Sequence, residues 1–148
     1  MIPARVSVVT LGVRDMAAMK RFYEGFGWRN LNPELDGYAA FDTGGATLAL
    51  YPYDMLAEDG RIPATPAPAG FRGVTLAINV ERPELVDETI ALIAAAGGRI
   101  TKQPEDASWG GRSAYFTDPE GNAWEVAWAP GTTFDARRAV VWAQQQQG

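Results

Sequence analysis

Two stretches of the chain carry the period of two expected of a strand buried on one side. In residues 6–13, Val9, Leu11 and Val13 fall on one face, and Val8, Thr10 and Gly12 on the other. In residues 74–80, Val74, Leu76, Ile78 and Val80 alternate with Thr75, Ala77 and Asn79. Each stretch is followed by helical spacing. After the first, Met16, Met19, Phe22, Tyr23 and Phe26 form a stripe, with Asp15 as the expected N-cap and Gly25 and Gly27 as the stop. After the second, the stripe is Leu85, Val86, Ile90, Ile93 and Ala94. Pro83 suits its first turn and Gly97-Gly98 ends it.

Short strands are predicted at 38–41 and 47–51, joined by the turn Asp42-Thr43-Gly44-Gly45. A further short strand is predicted at 99–102. The closing hairpin is 112–117 with 123–128, turned by Asp118-Pro119-Glu120-Gly121. In its last strand Trp124, Val126 and Trp128 share one face, read as core. Ala123, Glu125 and Ala127 share the other. Residues 52–70 hold four prolines and no clear period, which predicts a linker with one helical turn near Met55 and Leu56. In the tail, 131–148, a partial helix is expected through residues 140–142, and the Gln run is expected to fray.

The two halves repeat. Residues 8–13 lie over 75–80, residues 41–45 over 116–121 with one insertion, and residues 47–51 over 123–127. Each half reads β-α-β-β-β. The expected fold class is α+β, within a single domain spanning 1–148. Module one is expected at about 4–53, the linker at about 54–71 and module two at about 72–130. One helix covers only one face of a four-stranded sheet. Two such modules, paired with each other or with a second chain, give a curved surface able to hold a ligand.

Charge narrows the partners. Lys plus Arg is 13 and Asp plus Glu is 18, a net charge of −5. A nucleic-acid partner would require a basic patch and is not expected. The chain has no cysteine and no histidine, which removes disulfides, thiolate metal sites, the cysteine nucleophile and the commonest general base. No apolar run reaches membrane-spanning length, and residues 1–9 lack the shape of a signal peptide. A soluble, cytoplasmic protein is expected.

The β-α-β-β-β repeat is joined by particular motifs: Thr10-Leu11-Gly12-Val13-Arg14-Asp15 with Phe22-Tyr23-Glu24, and Phe116-Thr117-Asp118-Pro119-Glu120-Gly121-Asn122 running into Trp124-Glu125-Val126. In these features residues 4–130 resemble the vicinal oxygen chelate superfamily of glyoxalases, extradiol dioxygenases, fosfomycin-resistance enzymes and bleomycin-resistance proteins. The resemblance implies a curved mixed sheet forming a ligand cup, with helices on its convex side, and commonly a two-fold homodimer. It also implies up to four metal-ligand positions, which fall on Val8, Ala49, Thr75 and Glu125. Val8 and Ala49 have no donor atom and a threonine hydroxyl is a poor one, so only Glu125 is a good ligand. No metal and no cofactor are therefore expected.

Strand parity gives the cup a candidate lining. From module one come Val8, Thr10, Tyr38, Thr47, Ala49 and Tyr51. From module two come Thr75, Ala77, Asn79, Ser113, Tyr115 and Glu125, with Trp109 in a glycine-flanked loop over the mouth. Of these, Trp109, Tyr38, Tyr51, Thr75, Asn79, Ser113, Tyr115 and Glu125 are the expected ligand contacts. Three functions stay open. The first is a metal-independent protein that binds or sequesters a hydrophobic or cationic small molecule, like the drug-sequestering branch of the superfamily. The second is a metal-free isomerase, cyclase or lyase, with Glu125 as general base and Tyr115 as proton donor or oxyanion partner. The third is a structural or regulatory module with an empty cup. Arg112 bears on the choice, because a guanidinium beside Glu125 would neutralise it; alternation directs Arg112 to the other face.

Overall fold

The computed structural model describes residues 1–66 and 69–142. The chain divides into two compact units, Met1–Ala67 and Pro68–Gly148. The fold is mixed α+β, and neither unit's described residues include a helix long and apolar enough to cross a membrane.

The first unit contains β1 (Val8–Val13), α1 (Met16–Glu24), β2 (Ala39–Asp42), β3 (Thr47–Pro52) and α2 (Tyr53–Asp59). Its sheet has the order β1-β3-β2, with β1 parallel and β2 antiparallel to β3. Asp15 caps α1 as its position predicts, its carboxylate accepting from the Ala18 amide at 3.0 Å. Met19, Phe22 and Tyr23 are the buried side of the helix. Tyr23 stacks on Trp28 at 5.9 Å and meets Phe41 of β2 at 6.0 Å, so the aromatic cluster joins helix to sheet.

Three expectations for this unit are corrected. The first strand starts at Val8, two residues later than its pattern suggests. The single helical turn near Met55 is the seven-residue helix α2, which packs on β1 where Gly12 admits the Tyr53 ring. The fourth strand is reduced to one bridge, Asn30 to Phe41. There the buried Asn30 side chain stands in for a ladder: its Oδ1 accepts from the amides of Asn32 at 3.0 Å and Ala40 at 3.4 Å.

The second unit has the full repeat: β4 (Thr75–Asn79), α3 (Glu84–Ala95), β5 (Arg99–Asp106), β6 (Arg112–Thr117) and β7 (Ala123–Trp128). Sheet order is β4-β7-β6-β5, with β4 parallel to β7 and the other pairs antiparallel. One face carries Ala114, Phe116, Trp124 and Val126, all buried, as are Val86, Ile90 and Ile93 of α3. Phe116 and Trp124 stack with centroids 5.9 Å apart and planes 8° from parallel. Here β5 runs to Asp106, four residues past its expected end. The tail forms no helix through 140–142. A two-stranded hairpin pairs β8 (Thr133–Phe134) with β9 (Val140–Val141), as suits β-branched residues. The Gln run lies outside the described residues.

The β6–β7 turn is held by the buried Asp118. Its carboxylate accepts from the amides of Glu120 and Asn122 and from the Asn122 side chain, at 3.0, 2.9 and 2.8 Å. Gly121, at φ +85°, takes the left-handed position. Asp118→Ala is expected to cost roughly 2–4 kcal/mol, since charged hydrogen bonds are worth more than neutral ones and the freed amides are left half-buried. Urea unfolding followed by tryptophan fluorescence measures it. Asp118→Asn should lose only part, because the amide oxygen still accepts.

Candidate functional site

In β7, burial of Trp124 and Val126 turns Ala123, Glu125 and Ala127 to the opposite face of the sheet. Register extends that face sideways. Lys102 of β5 pairs with Tyr115 of β6, Tyr115 with Glu125 of β7, and Glu125 with Ala77 of β4. Four residues from four strands thus form one row across the sheet, each about 4.8 Å from the next strand.

The centre of the row is a short hydrogen bond. The Tyr115 hydroxyl donates to Oε2 of Glu125 at 2.5 Å. That bond first, then burial and the carboxylate charge, push the Tyr115 phenol above its ordinary pKa. Tyr115 is therefore a neutral donor at physiological pH. The second oxygen, Oε1, has no hydrogen bond among the described residues. Among those residues no side-chain nitrogen or oxygen is both fully buried and unpartnered, so Oε1 is not fully buried. The floor around it is small: Ala77, Ala123 and Ala127. Thr75 and Asn79 flank Ala77 on the same face of β4.

At the other end of the row stands Lys102. Its ammonium donates to Ser113 Oγ at 3.3 Å, lies 3.3 Å from Glu105 Oε1 and sits 5.5 Å from the centroid of the Tyr115 ring. Sequence reasoning missed this residue. Register shifts between Ile100 and Lys102, and between Lys102 and Glu105, so counting by twos along β5 fails there. The usable signal was pairing back from Tyr115 across the hairpin.

The structure brings Ser113, Tyr115 and Glu125 together with Lys102, and sets Thr75 and Asn79 on the same sheet face. The other predicted contacts, Tyr38, Tyr51 and Trp109, have packing partners within their own units. Tyr38 and Tyr51 form their own edge-to-face pair in the first unit, at 6.4 Å and 69°. Trp109 is half exposed, and an edge of its ring rests on Gly111, where a Cβ would overlap both that ring and the Trp128 carbonyl oxygen. Arg112 turns away from Glu125, as alternation predicts. It grips Asp87 of α3 in a bidentate pair at 2.8 and 2.9 Å and reaches Asp106 at 3.1 Å. The Arg112 guanidinium holds the Asp87 carboxyl below its ordinary pKa.

The four positions of the family's metal set do not make a metal site here. Val8 of β1 and Ala49 of β3 offer no donor, and Thr75 offers a hydroxyl. One oxygen of Glu125 is already engaged by Tyr115. Among the described residues no three His, Cys, Asp or Glu side chains cluster as a metal set would.

The Tyr115–Glu125 bond predicts an alkaline signature. A raised phenol pKa stabilises the fold fully below the ordinary tyrosine pKa, and that contribution is lost as pH rises through the folded value. Tyr115 is expected to ionise after Tyr53, whose phenol is lowered by its hydrogen bonds to Thr65, in a spectrophotometric titration, and Glu125→Gln should bring Tyr115 back towards the ordinary value. A Glu125→Gln variant whose titration curve matches wild type would count against the bond.

Comparison with known proteins follows the same lines. Residues 5–126 match the family described as the Glyoxalase/Bleomycin resistance protein/Dioxygenase superfamily. A glyoxalase-related enzyme from Fulvimarina pelagi is 32% identical, with TM-score 0.85, over 95% of this chain and 99% of that one. A glyoxalase/bleomycin resistance protein/dioxygenase from Nocardioides is 27% identical, with TM-score 0.74, over 88% of this chain and 87% of that one. A lactoylglutathione lyase from Agrobacterium tumefaciens, 23% identical with TM-score 0.64 over 86% of this chain and 95% of that one, shares the fold. No curated protein matches. The chain belongs to the glyoxalase/bleomycin resistance protein/dioxygenase superfamily, the vicinal oxygen chelate fold.

Proposed function

We propose that this chain is a metal-independent small-molecule binding protein whose ligand sits on the alanine floor beside Glu125. The observation that carries this reading is the state of that carboxylate. Tyr115 holds Oε2 and orients the group, while Oε1 is not fully buried and lies beside Ala77, Ala123 and the buried Ala127. A side chain fixed before binding has less freedom to lose when a ligand arrives. An apolar or aromatic body on the floor, with a cation or N–H or O–H donor at Oε1, fits this arrangement. Thr75 and Asn79 supply further hydrogen bonds, and Trp109 is a candidate stacking surface. Loss of the metal-ligand set while the polar pair is kept favours binding over chelate chemistry.

A second reading rests on the shortness of the Tyr115–Glu125 bond. It sets a base and a neutral proton donor side by side, as an isomerase, cyclase or lyase would need. Glu125→Gln separates the two. In a binding protein it is expected to weaken cationic ligands and leave neutral ones nearly unchanged. In an enzyme it should cut turnover by about 100-fold or more while binding survives. A thermal-shift screen of drugs and biosynthetic intermediates, with product analysis of every hit, gives the readout. Trp109→Ala in the same screen tests stacking. Hits that ignore both substitutions would place the ligand elsewhere.

Two properties accompany the reading. The purified protein is expected to carry no stoichiometric zinc, iron, nickel or manganese, and its ligand affinity should not change with added metal. Elemental analysis finding about one such ion per chain would overturn the metal-free proposal. We also propose a cytoplasmic homodimer. β1 and β4 are edge strands of their sheets, and Val8, at 51% exposed, and Val74, at 63%, leave apolar surface for a second copy to cover. Light scattering is expected to give twice the chain mass at micromolar concentration.

A further inference from the structure

The row through Tyr115 has two poles of opposite charge, and only the acidic one enters the binding reading above. We propose that Lys102 is a specificity-determining residue and that the ligand is an acid: a small molecule with a carboxylate or similar oxyanion for Lys102 and a hydrogen-bond donor for Glu125. This rests on the reading that the Glu125 face is the binding site.

Three observations carry it. First, Lys102 and Glu125 lie on either side of Tyr115 in one register row, so their strands are two interstrand spacings apart, on the order of 10 Å. That is the reach of a compact molecule with polar ends and an aromatic or apolar middle. Second, the ammonium is placed rather than loose. Ser113, which is buried, and the Tyr115 ring hold it on the sheet face, and its side chain is still 34% exposed. An ammonium has three donors, and Ser113 and Glu105 take two of them. Third, the counter-charge is exchangeable. Glu105 is 65% exposed and pairs with Lys102 across one β5 irregularity. Exposed pairs of this kind contribute little. A ligand carboxylate can take the place of Glu105 at small cost, and the released Glu105 is rehydrated.

Glu125 and Lys102 together also reject simpler ligands. A dianion meets the Glu125 charge, and a plain cation meets the Lys102 ammonium. Like charges at these spacings in a partly desolvated face disfavour both. The class that satisfies each pole is an acid that also carries a hydroxyl or amine.

Three matched probes read this directly by calorimetric titration: 4-hydroxyphenylacetate, its neutral amide, and tyramine. Wild type is compared with Lys102→Met, Lys102→Arg and Glu125→Leu, each checked for an unchanged circular dichroism spectrum. The acid is expected to bind wild type at least about 10-fold tighter than the amide. Lys102→Met should abolish that preference and Lys102→Arg should restore most of it, while raising salt weakens the acid and leaves the neutral amide nearly unchanged. Glu125→Leu should weaken all three probes. If Glu125→Leu weakens them but the acid has no advantage in wild type, or keeps its advantage in Lys102→Met, the proposed ligand class is wrong and the site stands. If Glu125→Leu changes nothing, the site reading itself fails. Absence of binding by every probe at millimolar concentration overturns the class as proposed.

Discussion

Asp118 accepts from three donors in the β6–β7 turn, and that turn sets the register on which the second unit depends. With the register fixed, Phe116 falls opposite Trp124 and the two stack on the face that also carries Ala114 and Val126. The same pairing places Tyr115 opposite Glu125. A slip of one residue would carry the aromatic pair to the open face and turn the carboxylate towards the helix. Burial of two aromatic rings therefore does more than stabilise the unit. It directs the one polar pair of the hairpin outward, with the hydroxyl and carboxylate at bonding distance. Core and site are two sides of a single register.

Most of this was legible from residue types. The alternation of Trp124 and Val126 with Glu125 gives the two faces of β7 without a structure, and the same count directs Arg112 towards the helix, where Asp87 meets it. The N-cap at Asp15 and the repeated β-α opening follow from local chemistry in the same way. What escaped were the places where a regular period breaks. Lys102 follows a register shift, so its face cannot be counted along the strand. Around Asn30 a side-chain amide replaces the backbone ladder, and no alternation marks such a substitute. The helix α2 has no capping side chain and no buried residues, so neither a cap nor an apolar stripe announced it. It is fastened instead by Arg14, whose guanidinium lies 3.8 Å over the Tyr53 ring and donates to the Thr65 carbonyl at 3.0 Å.

Membership of the superfamily fixes the scaffold and leaves the chemistry to individual positions. The donors that give the family its name are side chains on particular strands, and here aliphatic residues stand at two of those four positions. Of the two positions that remain, Thr75 offers a hydroxyl and Glu125 a carboxylate. A carboxylate ligand in a metal site is neutralised by the ion. Glu125 accepts from the Tyr115 hydroxyl. On the metal-independent reading proposed above, the site offers a hydrogen-bond acceptor where the chelating members offer an electrophile.

That difference constrains what can happen on the face. An electrophilic centre polarises a carbonyl or an oxygen whatever else surrounds it. A carboxylate and a phenol act only on protons, and they do so only where the substrate presents an acidic C–H or O–H within hydrogen-bond reach. Tyr115 is suited to giving a proton or bonding a developing oxyanion, because its raised pKa keeps it protonated. It is poorly suited to taking one. Glu125 is the only group of the pair able to accept a proton, and the phenol already bonds one of its oxygens. On the proposed reading this pair is a recognition device for most bound molecules. It becomes catalytic only for a ligand whose own chemistry places a labile proton at Oε1 and an electron-rich oxygen at the Tyr115 hydroxyl.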